Sequence, residues 1–112
     1  MSNRKVQYHI PQTSLWNWKL VSEYFVRREL IRTRHAMEIL CLDEANLDQD
    51  ILNVEKEIRG KWAIANANVM QAFEVRLRDL LVRRKRLSKI GEKLYEALKD
   101  LHEIGVQRKW NL

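Results

Sequence analysis

The stretch MQAFEVRLRDLLVRRKRLSKIGEKLYEALKDLHEIG, residues 70 to 105, decides what kind of protein this is. Taking alternately every third and fourth residue gives Met70, Phe73, Leu77, Leu80, Arg84, Leu87, Gly91, Leu94, Leu98, Leu101 and Gly105, and eight of these eleven are large and apolar. An α-helix turns about 100° per residue, so such positions share one stripe. A stripe sustained over this many turns packs along another helix with a left-handed crossing. The spacing predicts one long helix over 62–104, roughly 65 Å at about 1.5 Å per residue. Gly105 supplies its stop, leaving 105–112 as a short basic tail.

Upstream, the apolar spacing continues with other punctuation. Thr13 and Ser14 stand before Leu15, Trp18, Val21, Phe25, Val26, Leu30, Met37 and Leu40, with Trp16, Leu20, Tyr24 and Ile31 widening the stripe. Their side-chain oxygens can accept from the free amides of a helix start, which predicts a first helix over 14–41. The acidic and Asn residues of 42–48, LDEANLD, read as a turn. A second helix follows over 48–59, presenting Ile51, Leu52, Val54 and Ile58 and interrupted at Gly60. Residues 5–10, KVQYHI, alternate apolar and polar before Pro11 and make 1–13 an extended arm. The expected class is all-α: a three-helix bundle or a helical hairpin, with one long heptad-patterned helix, in a single domain over 1–112.

Composition narrows the functions. With 46% hydrophobic and 32% charged residues, three Gly and one Pro, the chain is unlike a disordered one. The lone Cys41 cannot close an intramolecular disulfide. The first thirty residues lack the continuous apolar core of a signal peptide, and no run reaches the roughly 18 apolar residues of a membrane span. An intracellular protein is expected, cytoplasmic or at the nucleus or nucleoid. Charge is blocked along the chain, net +5 over 1–35, −6 over 36–58 and +7 over 59–112, which sums to +6. Such blocks steer acidic partners or pair with one another.

Motifs for catalysis are absent from the sequence. His9, His35, His102 and Cys41 share no chelating spacing beyond His35 with Glu38, so no metal is expected. Cys41 falls on the apolar stripe of the first helix, where a thiol behaves as a small hydrophobe. No phosphate-cradling Gly loop and no cofactor motif occur, and the chain is not expected to be an enzyme.

The polyanion signal is the basic row Arg83, Arg84, Lys85 and Arg86, with Lys89 beyond it. Successive residues diverge around a helix, so the row forms a girdle, not a patch. Arg78, Lys85, Lys89 and Lys93 do line one face, and Arg27 and Arg28 add charge among aromatics near Trp16 and Trp18. Glu74 and Asp79 stand four residues before Arg78 and Arg83, the favourable orientation for helical ion pairs. Arg84 intrudes on the apolar seam, where a charge must snorkel or meet an acid, and with Gly91 one heptad on the thin, polar centre reads as a hinge, a close crossing of helices, or the place where another helix inserts an acid.

Two readings follow. In the first, a non-catalytic interaction protein associates through Met70, Phe73, Leu77, Leu80, Leu87, Leu94, Leu98 and Leu101, with Trp16 as an additional anchor, and docks an acidic partner on its basic stripe. In the second, Arg78, Arg83, Arg84, Lys85, Arg86, Lys89, Lys93, Arg27 and Arg28 hold the phosphates of DNA or RNA without sequence preference.

Overall fold

The computed structural model describes residues 8–61 and 66–112. It is an all-α helical hairpin of two long helices, α1 (Glu23–Lys61) and α2 (Ala67–Gln107), preceded by a short segment holding one 3-10 turn at Thr13–Leu15. There is no strand among the described residues. Of the two architectures the sequence allows, the chain takes the hairpin.

The expected turn at 42–48 is helical, and the helices expected over 14–41 and 48–59 merge into α1. Asp43, Glu44, Asn46 and Asp48 resemble a turn when read locally. Leu40, Leu47, Ile51, Val54 and Ile58 nevertheless keep seven, four, three and four spacing straight through it, and burying that stripe outweighs the weak local preference. Gly60 lies inside the last turn of α1, and a Cβ there would meet nothing within 4 Å among the described residues.

The start of the first helix also moves. Thr13 does not cap; its Oγ1 donates to Asp100 Oδ2 at 2.6 Å. Asn17 then turns the chain, its side-chain oxygen accepting from the Lys19 amide at 3.1 Å and its carbonyl from Leu20 and Val21. Such side-chain competition for the backbone keeps 16–21 out of the helix. The cap is Ser22, whose Oγ accepts from the Phe25 amide at 3.1 Å. α2 begins later than the periodicity suggests, at Ala67, capped by Asn66, whose Oδ1 accepts from the Val69 amide at 3.0 Å. Residues 62–65, including Trp62, lie outside the described residues, as does the 1–7 part of the expected arm.

The hairpin divides into two compact units, one of residues up to Leu40 with Ile90–Leu112, the other of Cys41–Lys89. In the first, Val26 and Leu30 of α1 meet Leu101 and Ile104 of α2, all buried. Full burial of such side chains contributes roughly 1.5–3 kcal/mol each. Trp16, Trp18, Val21, Leu98, Trp110 and Leu112 pack around this cluster. A Cβ on Gly91 would meet Leu40 Cδ2 at 3.2 Å, so the glycine lets the helices approach closely there.

Gly105 is not the helix stop. The turn comes at Lys109, in the left-handed region at φ 59°, with Trp110 N–H donating to Gly105 O and Lys109 N–H to Val106 O. This double bond pattern closes helix C-termini, usually with glycine at the left-handed position. Gly105 instead leaves room for Leu112, whose Cγ lies 2.9 Å from where a Cβ would stand. The expected basic tail is thus folded back. Arg108 donates to the carbonyls of Trp18 and Val21 at 3.0 Å each and covers the Trp110 ring at 4.5 Å, while Arg27 donates to Asn111 O at 2.8 Å.

In the second unit Leu47, Ile51, Val54 and Leu80 form the core, with Ile58, Leu77 and Leu87 packed against it. Asp48 meets Arg84 and Lys61 lies over the Phe73 ring at 5.5 Å. Rising numbers on α1 meet falling numbers on α2, so the helices run antiparallel.

Two end-group substitutions should move stability in opposite directions. Asn66→Ala removes a cap and lowers unfolding free energy by about 1 kcal/mol, whereas Lys109→Gly relieves the left-handed backbone and raises it by a similar ~1 kcal/mol. Urea titration followed by circular dichroism reads both.

Candidate functional site

The basic row separates by environment. Arg84 faces α1, as its seam position requires. Its Nε donates to Asp48 Oδ1 at 2.7 Å, and its Nη1 to Glu44 Oε2 and to Ser88 Oγ, the last at 2.9 Å. The hydrogen bond to Asp48, with the attraction of Glu44 and Asp48, raises the Arg84 pKa above its ordinary value against the opposing effect of burial. A raised basic pKa contributes stability below the ordinary value, lost only as pH climbs through the folded one. The guanidinium therefore stays charged throughout the working range and is satisfied within the unit.

The rest of the row is exposed. Arg78, Arg83, Lys85, Arg86 and Lys89 all lie on the surface of the second unit. The ion pairs expected from Glu74 to Arg78 and from Asp79 to Arg83 do not close within 4 Å, and none of these five cations is paired with an acid among the described residues. Turning about 100° per residue from the seam, Val75, Val82, Arg86 and Lys89 come out opposite it, with Arg78 and Lys85 to one side. Val75 is 49% and Val82 46% exposed, so the outward face of α2 is basic and apolar together.

The other predicted residues stand elsewhere. Lys93 is exposed in the first unit, at a cleft of about 450 Å³ shared with Pro11, Thr13 and Asp100. Arg28 is exposed there too, while Arg27 is engaged by Glu23 and Asn111. Trp16 is half-buried, edge-on to Phe25 at 5.0 Å between ring centres, and packs within its own unit. The seam residues Leu80, Leu94 and Leu101 are buried, and Met70, Phe73, Leu77, Leu87 and Leu98 are half-buried. α1 of the same chain covers the seam where these clusters form. Cys41 is exposed, contrary to its expected place on the apolar stripe, because the buried stripe runs through Leu40 and Leu47 instead.

Sequence reasoning assigned Glu44 and Asp48 to a turn and so missed them as partners of Arg84. The signal available was their four-residue spacing, which puts both on one helix face beside Leu47 and Ile51. Among the described residues no group of three or more His, Cys, Asp or Glu side chains could hold a metal ion, and no helix is long and apolar enough to cross a membrane. Comparison with protein-family models, curated proteins and solved structures finds no match for this chain.

Removing Arg84 alone should be worse than removing the network. Arg84→Met leaves the half-buried Glu44 carboxylate without its partner and should cost about 1–3 kcal/mol. Adding Glu44→Gln and Asp48→Asn should recover most of that loss in the same urea titration.

Proposed function

We propose that this protein is a non-catalytic helical interaction protein, working without metal or cofactor, whose outward α2 face docks an acidic protein segment. The observation that carries the reading is the pairing of exposed Val75 and Val82 with the unpaired cations Arg86 and Lys89 on one face. A phosphate backbone asks for charge, and valines add nothing to it. An acidic amphipathic helix uses both, laying its apolar stripe on the valines and its carboxylates on the cations. Arg84, engaged by Glu44 and Asp48, drops out of this surface, and Arg83 and Lys85 flank it. An intracellular setting suits a chain with one exposed thiol.

Two probes test the reading on the full chain: a Glu- and Leu-patterned helical peptide and a duplex DNA, each titrated by fluorescence anisotropy over a salt series. The peptide should bind, lose at least tenfold in affinity with Arg86→Glu plus Lys89→Glu, and lose several-fold with Val82→Ser. Duplex binding that ignores Val82→Ser and falls with log salt at a slope near −4.5, the value for about five neutralised phosphates, would establish the nucleic-acid reading instead.

A further inference from the structure

The second unit carries two further rows, each one residue beyond a seam. On α1, Leu47, Ile51, Val54 and Ile58 face inward, and Asp48, Leu52, Glu55 and Arg59 follow them. On α2, Phe73, Leu77, Leu80 and Arg84 line the seam, and Glu74, Arg78, Leu81 and Lys85 follow. In an antiparallel pair the same rotation from each seam leads to the same side, so both rows flank one side of the unit.

Every member of both rows is exposed. Leu52 is 41% and Leu81 50% accessible, large apolar residues without a covering element among the described residues of this unit. Glu55, Arg59, Glu74, Arg78 and Lys85 form no ion pair among the described residues. Reading α1 forwards gives acid, leucine, acid, base at spacings of four, three and four. Reading α2 backwards from Lys85 gives base, leucine, base, acid at the same spacings.

We infer that this side of the unit docks against the same side of a second copy of the chain. A twofold axis parallel to the helices lays α1 of each copy antiparallel on α2 of the other, the arrangement of an antiparallel four-helix bundle. Asp48 then meets Lys85, Leu52 meets Leu81, Glu55 meets Arg78 and Arg59 meets Glu74, each contact made twice. Asp48 reaches Lys85 with the oxygen that Arg84 leaves free. The opposite side of the unit does not fit itself: one residue before each seam, the same construction sets Asp50 against Asp79 and offers no large apolar residue in the α1 row Asn46, Asp50, Asn53 and Glu57. The inference deepens the reading of the chain as an interaction protein and rests on it, but uses a different face from the one offered to an acidic segment.

Sedimentation equilibrium of the full chain from micromolar to millimolar tests the inference. The wild type should approach twice the 13.5 kDa chain mass. Glu55→Arg and Arg78→Glu, each alone, should weaken dimerisation at least tenfold, and the two together in one chain should restore it to within about threefold. The substituted side chains are exposed, and circular dichroism confirms that each variant keeps its helices. A monomer at every concentration, or a dimer unmoved by the single exchanges, overturns the inference. Arg86→Glu plus Lys89→Glu should dimerise as the wild type while losing the acidic peptide, so failure of the two proposals can be told apart.

Discussion

A cation on the seam of a helix has to reach solvent or find an acid, and in the second unit the acids it finds tie the hairpin's strongest anomaly to its register. Arg84 occupies a position where leucine would continue the stripe, and it is held by Glu44 and Asp48, one turn apart on α1. Apolar side chains alone tolerate sliding by a heptad, since one leucine resembles another. A guanidinium between two carboxylates does not, because a slip would leave charges half-buried and unpaired. The antiparallel alignment of Leu47, Ile51 and Val54 with Leu77, Leu80 and Leu87 follows from this one placement, and so does the order of residues along both flanks.

The first unit is held by different means. Two helices alone leave a core open along its sides, and here the segment before α1 and the residues after α2 cover it. Trp16, Trp18, Trp110 and Leu112 pack on the buried cluster, and Arg108 satisfies two carbonyls in the non-helical stretch before Ser22. The buried Glu29 carboxylate is met by His9, and Asp100 by Thr13, so the segment leading to α1 is hydrogen-bonded to both helices. The second unit has no such cover among the described residues. Its exposed leucines and valines stand among unpaired charges, and surfaces of that mixture suit contact with other chains.

The heptad stripe of α2 was readable because eight large apolar residues repeat at one spacing, and so was the intrusion of Arg84 on it, which had either to snorkel or to meet an acid. The helix boundaries were harder. Thr13 and Ser14 look like a cap and Asn17 does not look like a break, yet Thr13 is drawn to Asp100, which is distant in sequence. Residues 42–48 look like a turn because Asp and Asn favour turns locally, and only the continuity of Leu40, Leu47 and Ile51 argued otherwise. Gly105 has the conformational freedom of a helix stop, whereas it serves as a space for Leu112.

Sequence by itself determined that the chain is helical, that α2 needs a helix along its length, and that the basic row must diverge around its axis. Those are consequences of periodicity, which is local and written in order. Tertiary structure decided which helix covers α2, which cation of the row is neutralised, and which tryptophans turn inward. Each of those depends on residues far apart in the chain meeting at one place. Arg84 and Lys85 are neighbours with the same charge; about 100° of helical rotation sends one to two carboxylates and leaves the other in solvent.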